Sequence, residues 1–88
     1  MDLNGKHTVV TGAAGGIGAA LAERFHSAGA NVVVADVQTE GVAAVAARLN
    51  AARPGSALAV TADVSTEDGN VALIETFRAA FGEVDLFF

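Results

Sequence analysis

Three groups of residues in this 88-residue chain have the types and spacing to do chemistry. The first is Thr11-Gly12-Ala13-Ala14-Gly15-Gly16-Ile17-Gly18, a glycine-rich turn between an apolar run and a helix-like one. The first N–H groups of a helix have no intrahelical partner, and the helix dipole favours negative charge there. Such a turn can therefore cradle a phosphate. Gly12 permits the tight turn, Gly16 lets backbone approach a pyrophosphate, and Gly18 lets the helix pack closely. The order is G-x-x-x-G-x-G, not the usual dinucleotide G-x-G-x-x-G. The second group is Asp36, followed by Val37. A carboxylate there can accept from both hydroxyls of an adenosine ribose and would repel a 2′-phosphate. Neither Gly15 nor Val37 supplies a basic side chain to neutralise that phosphate, which favours NAD over NADP. The third group is Asp63-Val64: the carboxylate could accept from an adenine amino group while Val64 packs on the ring.

These residues need a scaffold, and hydrophobic periodicity supplies one. Strands are expected at His7–Thr11, Asn31–Asp36, Ala57–Thr61 and from Val84 to Phe88. The run Val32-Val33-Val34-Ala35 is continuously apolar, as in a parallel strand covered on both faces. Helices are expected from Ile17 to Ala28, with Ile17, Leu21, Phe25 and Ala28 inward, and from Thr39 to Ala52, with Val42, Val45, Ala46 and Leu49 inward. A third, capped by Ser65 or Thr66, would turn Val71, Ile74, Phe77 and Phe81 inward and stop at Gly82. Ser65-x-x-Asp68 resembles a capping box. Pro54-Gly55 is the clearest turn signal. The alternation predicts an α/β fold with helices on both faces of a parallel sheet. Right-handed crossovers give the strand order 3-2-1-4, with a ligand crevice where the order reverses.

Composition removes several classes. The net charge is −5, and the five basic residues, Lys6, Arg24, Arg48, Arg53 and Arg78, form no block. Nucleic acid and an anionic membrane surface are therefore poor partners. There is no cysteine, so disulfides and thiolate metal sites are excluded and a cytoplasmic setting is compatible. No apolar run spans a bilayer. Lys6 followed by Ala20-Leu21-Ala22 imitates a signal peptide, but glycines interrupt the apolar region and Asp2 has the wrong sign. His7 and His26 lack metal-ligand spacing and are expected on the surface. No serine lies in G-x-S-x-G, and no Gly-Lys-Ser/Thr follows the glycines, so hydrolase triads and P-loops are excluded.

Gly5-Lys6, Thr11-Gly12-x-x-x-Gly16-Ile17-Gly18, Asp36, Asp63-Val64 and Gly82-x-x-Asp85 follow one another as in the short-chain dehydrogenase/reductase family. The chain resembles the N-terminal half of that family's compact type. The resemblance implies a partial, three-layer Rossmann-type domain over residues 1–88, with no second domain. It also implies that Gly12, Gly15, Gly16, Ile17 and Gly18 serve the pyrophosphate, Asp36 and Val37 the ribose side, and Asp63 and Val64 the adenine, with Asp85 structural. In that family a Tyr and a Lys four residues later, with a Ser, handle the substrate proton. This sequence has no tyrosine, and Lys6 is its single lysine. The expectation is the cofactor-binding half of an NAD-dependent oxidoreductase acting on a carbonyl or alcohol, ending before the catalytic residues and inactive by itself. A small-molecule substrate and homo-oligomerisation would belong to the complete enzyme. Two alternatives stay open: a non-catalytic nucleotide-binding or interaction module, and a Rossmann-like methyltransferase fragment, against which the glycine spacing argues.

Overall fold

A computed structural model describes residues 3–82 and 85–87. Three strands and three helices alternate: β1 (His7–Thr11), α1 (Gly16–Ser27), β2 (Asn31–Asp36), α2 (Thr39–Ala52), β3 (Ala57–Thr61) and α3 (Glu67–Phe81). A two-residue β4 (Leu86–Phe87) follows. The fold is a Rossmann-like α/β arrangement on a parallel sheet. Central β2 pairs with β1 from His7↔Asn31 to Thr11↔Ala35 and with β3 from Val32↔Ala57 to Asp36↔Thr61. β4 lies on the other side of β1 through Thr8↔Leu86 and Val9↔Phe87, so the sheet runs β3-β2-β1-β4. Val84 and Phe88, the ends of the expected fourth strand, lie outside the described residues.

The strand period of two sorts the valines between two cores. Val10, Val32 and Val34 face α1 and α2, meeting Ala22, Val42, Val45, Ala46 and Leu49. Val9, Val33 and Ala35 face α3, meeting Leu73 and Phe77. Each fully buried valine contributes about 1.5–3 kcal/mol relative to an exposed one. The sheet thus has α1 and α2 on one face and α3 on the other.

Two helical stripes are rotated from the expected ones. In α1 the buried residues are Ala22 and His26, while Leu21 and Phe25 are only partly covered. Ile17 is 90 % exposed, and Ala28 is the exposed C-cap. In α3 the buried pair is Leu73 and Phe77, Val71 is exposed, and Ile74 and Phe81 are half-buried. A shift of one residue turns a helix by about 100°. The small side chains of α1 allow a polar residue inside where a partner awaits it. The expected capping box is also absent: Thr66 is the N-cap, its Oγ1 accepting from Gly69 N–H at 3.0 Å. Glycine at the position where a box needs a carboxylate leaves no side chain to reach back.

The partner for His26 is Ser56. His26, expected on the surface, is 5 % exposed, with Nε2 2.6 Å from Ser56 Oγ. The Ser56 hydroxyl donates its one proton to the Arg53 carbonyl, so His26 Nε2 is the donor to Ser56. Arg53 in turn donates to the carbonyls of His26 and Ala30. Asn50 completes the cluster, giving Nδ2–H to Ala57 O and accepting from the N–H groups of Ser56 and Ala57. Burial, and secondarily the Arg53 charge, hold the His26 pKa below its ordinary value of 6.5. The unfolded chain therefore binds a proton that the folded chain refuses. Stability is expected to be flat above pH 6.5 and to fall as pH drops below it, toward the depressed folded value. Urea denaturation between pH 7.5 and 5 tests this: His26→Gln, which keeps a donor without the titration, should flatten that part of the profile.

Candidate nucleotide-binding site

The site residues lie where β1, β2 and β3 end. β1 stops at Thr11, and Gly12 turns the chain with φ +66°, a conformation that disfavours a side chain. Ala13 then rejoins the sheet, donating N–H to Ala35 O at 3.1 Å, and is fully buried. Gly15 N–H bonds Gly12 O at 3.2 Å, closing the turn, and Gly15 is the N-cap of α1. No side chain caps α1, and its first turn carries no acid. Its leading N–H groups are left for an external acceptor, as an anion cradle requires.

The glycines differ in what surrounds them. A Cβ on Gly16 would meet nothing within 4 Å, so the space before it is open. A Cβ on Gly18 would stand 2.2 Å from Gly12 O and 2.9 Å from Ala13 Cα. Gly18 thus lets α1 close against the turn itself.

Asp36 ends β2, half-buried. Its Oδ2 accepts from Ala14 N–H at 3.1 Å and its Oδ1 from Gln38 N–H at 3.2 Å. The first bond joins the acid to the glycine turn, a link that residue types alone did not suggest. Beside it, Val37 is 59 % exposed, a bare apolar surface next to a carboxylate. Ala62 N–H donates to Asp36 O at 3.0 Å, carrying the ladder past β3 and setting Asp63 on the same edge.

Asp63 is exposed, and its Oδ1 accepts from Ser65 Oγ–H at 2.5 Å and Ser65 N–H at 3.0 Å. The Ser65 hydroxyl first, then its N–H, hold the Asp63 carboxyl below the usual carboxylate range. It is ionised at neutral pH and acceptor-only. Val64 is half-buried, its carbonyl fixed by Asn70 Nδ2–H at 2.7 Å. Sequence reasoning missed Asn70. An Asn in the first turn of the expected third helix, seven residues after a strand-end acid, was its only signal. The edge thus unites the glycine turn, Asp36-Val37 and Asp63-Val64. Depressions on the outer faces of α1, around Glu23 and Arg24, and of α3, around Val71 and Ile74, lie away from it.

Asp85 stands at the opposite end, pairing with the start of β1: its Oδ2 accepts His7 N–H at 2.9 Å, and its N–H donates to His7 O at 2.9 Å. Among the described residues no cluster of three His, Asp or Glu could hold a metal ion, and no helix is long and apolar enough to cross a membrane.

A parallel α/β sheet with a glycine turn and strand-end carboxylates on one edge defines a nucleotide-binding class of protein. The family model for short chain dehydrogenase matches residues 6–88, and the chain belongs to that family. Among curated relatives it is 43 % identical over 86 residues to tropinone reductase-like 1 of Erythroxylum coca, covering 98 % of this chain and 30 % of the relative. It is 41 % identical over 85 residues to glucose 1-dehydrogenase 2 of Bacillus subtilis, covering 97 % and 33 %. Among solved structures, a short-chain dehydrogenase/reductase from Burkholderia phymatum in complex with NAD superposes with a TM-score of 0.94 at 38 % identity, over 100 % of this chain and 31 % of that one. L-sorbose reductase from Gluconobacter frateurii, complexed with NADPH and L-sorbose, gives 0.90 at 36 % identity, over 99 % and 34 %. The chain spans about a third of the length of these relatives.

Proposed function

We propose that residues 1–88 are the N-terminal part of an NAD-binding domain in an oxidoreductase that interconverts a carbonyl and an alcohol. The observation that carries this reading is the Asp36 carboxylate bonded to Ala14 of the glycine turn, which sets a ribose acceptor beside a phosphate cradle. In this reading Gly12, Gly15, Gly16, Ile17 and Gly18 form the pyrophosphate cradle: the turn closed by Gly15 N–H on Gly12 O presents the leading N–H groups of α1 and the open space before Gly16. Asp36 takes the ribose hydroxyls, with Val37 alongside. Asp63 accepts from the adenine amino group, and Val64 packs on the ring. In this reading the nicotinamide side of the cofactor lies beyond β1, where the strand order reverses. The residues fit the group: α1 has no side-chain cap, and a Cβ at Gly16 would point into free space.

When bound, the nicotinamide would supply hydride exchange. The residues here bind and orient, and the proton-transferring Tyr and Lys of the family have no counterpart among residues 1–88. The relatives with bound cofactor include one with NAD and one with NADPH, so the preference for NAD rests on Asp36 and on the absence of a basic side chain at Gly15 and Val37. Calorimetric titration tests it. NAD should bind more tightly than NADP, and Asp36→Ser should weaken NAD by about 10- to 100-fold, the worth of hydrogen bonds to a charged group. Tighter binding of NADP would overturn the preference, and binding of neither would overturn the reading.

A further inference from the structure

The first turn of α2 runs against the glycine turn. A Cβ built on Gly41 would stand 2.5 Å from Ala14 Cβ and 3.3 Å from Ala14 Cα. Saturated carbons rest at about 3.5–4.0 Å, so one added methyl must displace Ala14 or the helix by about 1 Å. Ala14 is also the residue whose N–H reaches Asp36 Oδ2 at 3.1 Å. It is therefore caught between two neighbours, the acid that draws its amide and the helix that limits its side chain. Gly41 itself has no positive φ, so its backbone accepts alanine, and alanine is the better helix former. Glycine at this helical position has no conformational reason to be there. Its reason is the approach to Ala14.

We propose that Gly41 is a positioning residue for the nucleotide site: by lacking a side chain it seats Ala14 on Asp36 and so sets the height of the glycine turn above the strand ends. This rests on the cofactor reading given above only for its effect on binding. Gly41 touches the turn, not the ligand, so its influence passes through Ala14. A turn lifted by 1 Å would carry the pyrophosphate cradle away from the ribose acceptor while leaving both chemically intact.

The test is a cycle of Gly41→Ala, Ala14→Gly and the double variant in the full chain. It is read by the Ala14 amide resonance without ligand, by NAD titration and by thermal melting. Gly41→Ala is expected to shift the Ala14 amide and to weaken NAD roughly tenfold or more, the scale of a small misplacement, with a fall in melting temperature that the helix propensity of alanine only partly offsets. Removing the Ala14 methyl relieves the 2.5 Å contact, so the double variant should bind NAD as Ala14→Gly alone does. A merely structural role would lower the melting temperature and leave NAD affinity unchanged. Unchanged NAD affinity in Gly41→Ala, or no recovery in the double variant, overturns the proposal. If the wild type binds no dinucleotide, the functional reading fails separately. The amide then decides: a shift reversed in the double variant supports Gly41 as the seat of the turn, and an unmoved one refutes it.

Discussion

Gly18→Ala is expected to abolish dinucleotide binding and to destabilise the fold. The new methyl would stand 2.2 Å from Gly12 O, 2.8 Å from Gly12 C and 2.9 Å from Ala13 Cα. All three are backbone atoms, so no side-chain rotation relieves the clash. Neither side yields easily. Ala13 is fully buried and its N–H is bonded to Ala35, while α1 is held by Ala22 and His26 inside the sheet-facing core. Overpacking of this kind costs about 1–3 kcal/mol. The larger effect falls on the site, because the N-terminus of α1 must move away from the turn that completes the cradle. A loss of at least about 100-fold in NAD affinity follows from a displacement near 1 Å. Gly16→Ala is the informative control. Its methyl meets no protein atom within 4 Å, so urea stability should match the wild type while NAD binding falls. Equal NAD affinity in Gly18→Ala and wild type would count decisively against the role given to this turn.

Phe77→Ala is expected to remove a large part of the stability of the fold. Phe77 is fully buried and joins Leu73 to Val9, Val33 and Ala35. Its ring also meets His7 edge-on at 6.1 Å and Phe81 at 5.6 Å. Among the described residues α3 is the single helix on this face, so no neighbouring helix can settle into the hole. A buried Phe→Ala substitution costs about 3–5 kcal/mol. A domain of this size has a total stability of order 4–13 kcal/mol, so the loss consumes much of it. Phe81→Ala, at a half-buried position, should cost far less. Far-ultraviolet circular dichroism with urea titration separates the two. A Phe77→Ala curve that overlays the wild type would show that this face contributes little to folding.

The sequence carried the site further than it carried the packing. Glycine spacing and strand-end acids are local signals, each tied to a backbone need, so Gly18, Asp36 and Asp63 could be picked out one at a time. The relation between them was not local. The Asp36–Ala14 bond spans 22 positions, and the Gly41–Ala14 approach is set by how α2 settles on the sheet. Core valines were legible because a run such as Val32-Val33-Val34 has one reading in a parallel sheet. The inner faces of α1 and α3 were not. Alanines and glycines make the amphipathic signal of α1 weak, and His26 goes inside because Ser56 and Arg53 wait there from other elements. Periodicity counts apolar residues, so it cannot foresee a polar residue whose partner is 30 positions away.

The His26, Asn50, Arg53 and Ser56 cluster ties the end of α1, the end of α2 and the starts of β2 and β3 at the edge opposite the glycine turn. Side chains bind that edge together, whereas the glycine-turn edge relies mainly on backbone amides and two exposed or half-exposed acids. The division lets the two ends answer to different pressures. Substitutions at the exposed Val37 and Asp63 can accumulate with little penalty in folding, because the framework is fastened elsewhere. The lower cluster works as a keel. It does not touch the cargo, and it gives the opposite deck freedom to be refitted.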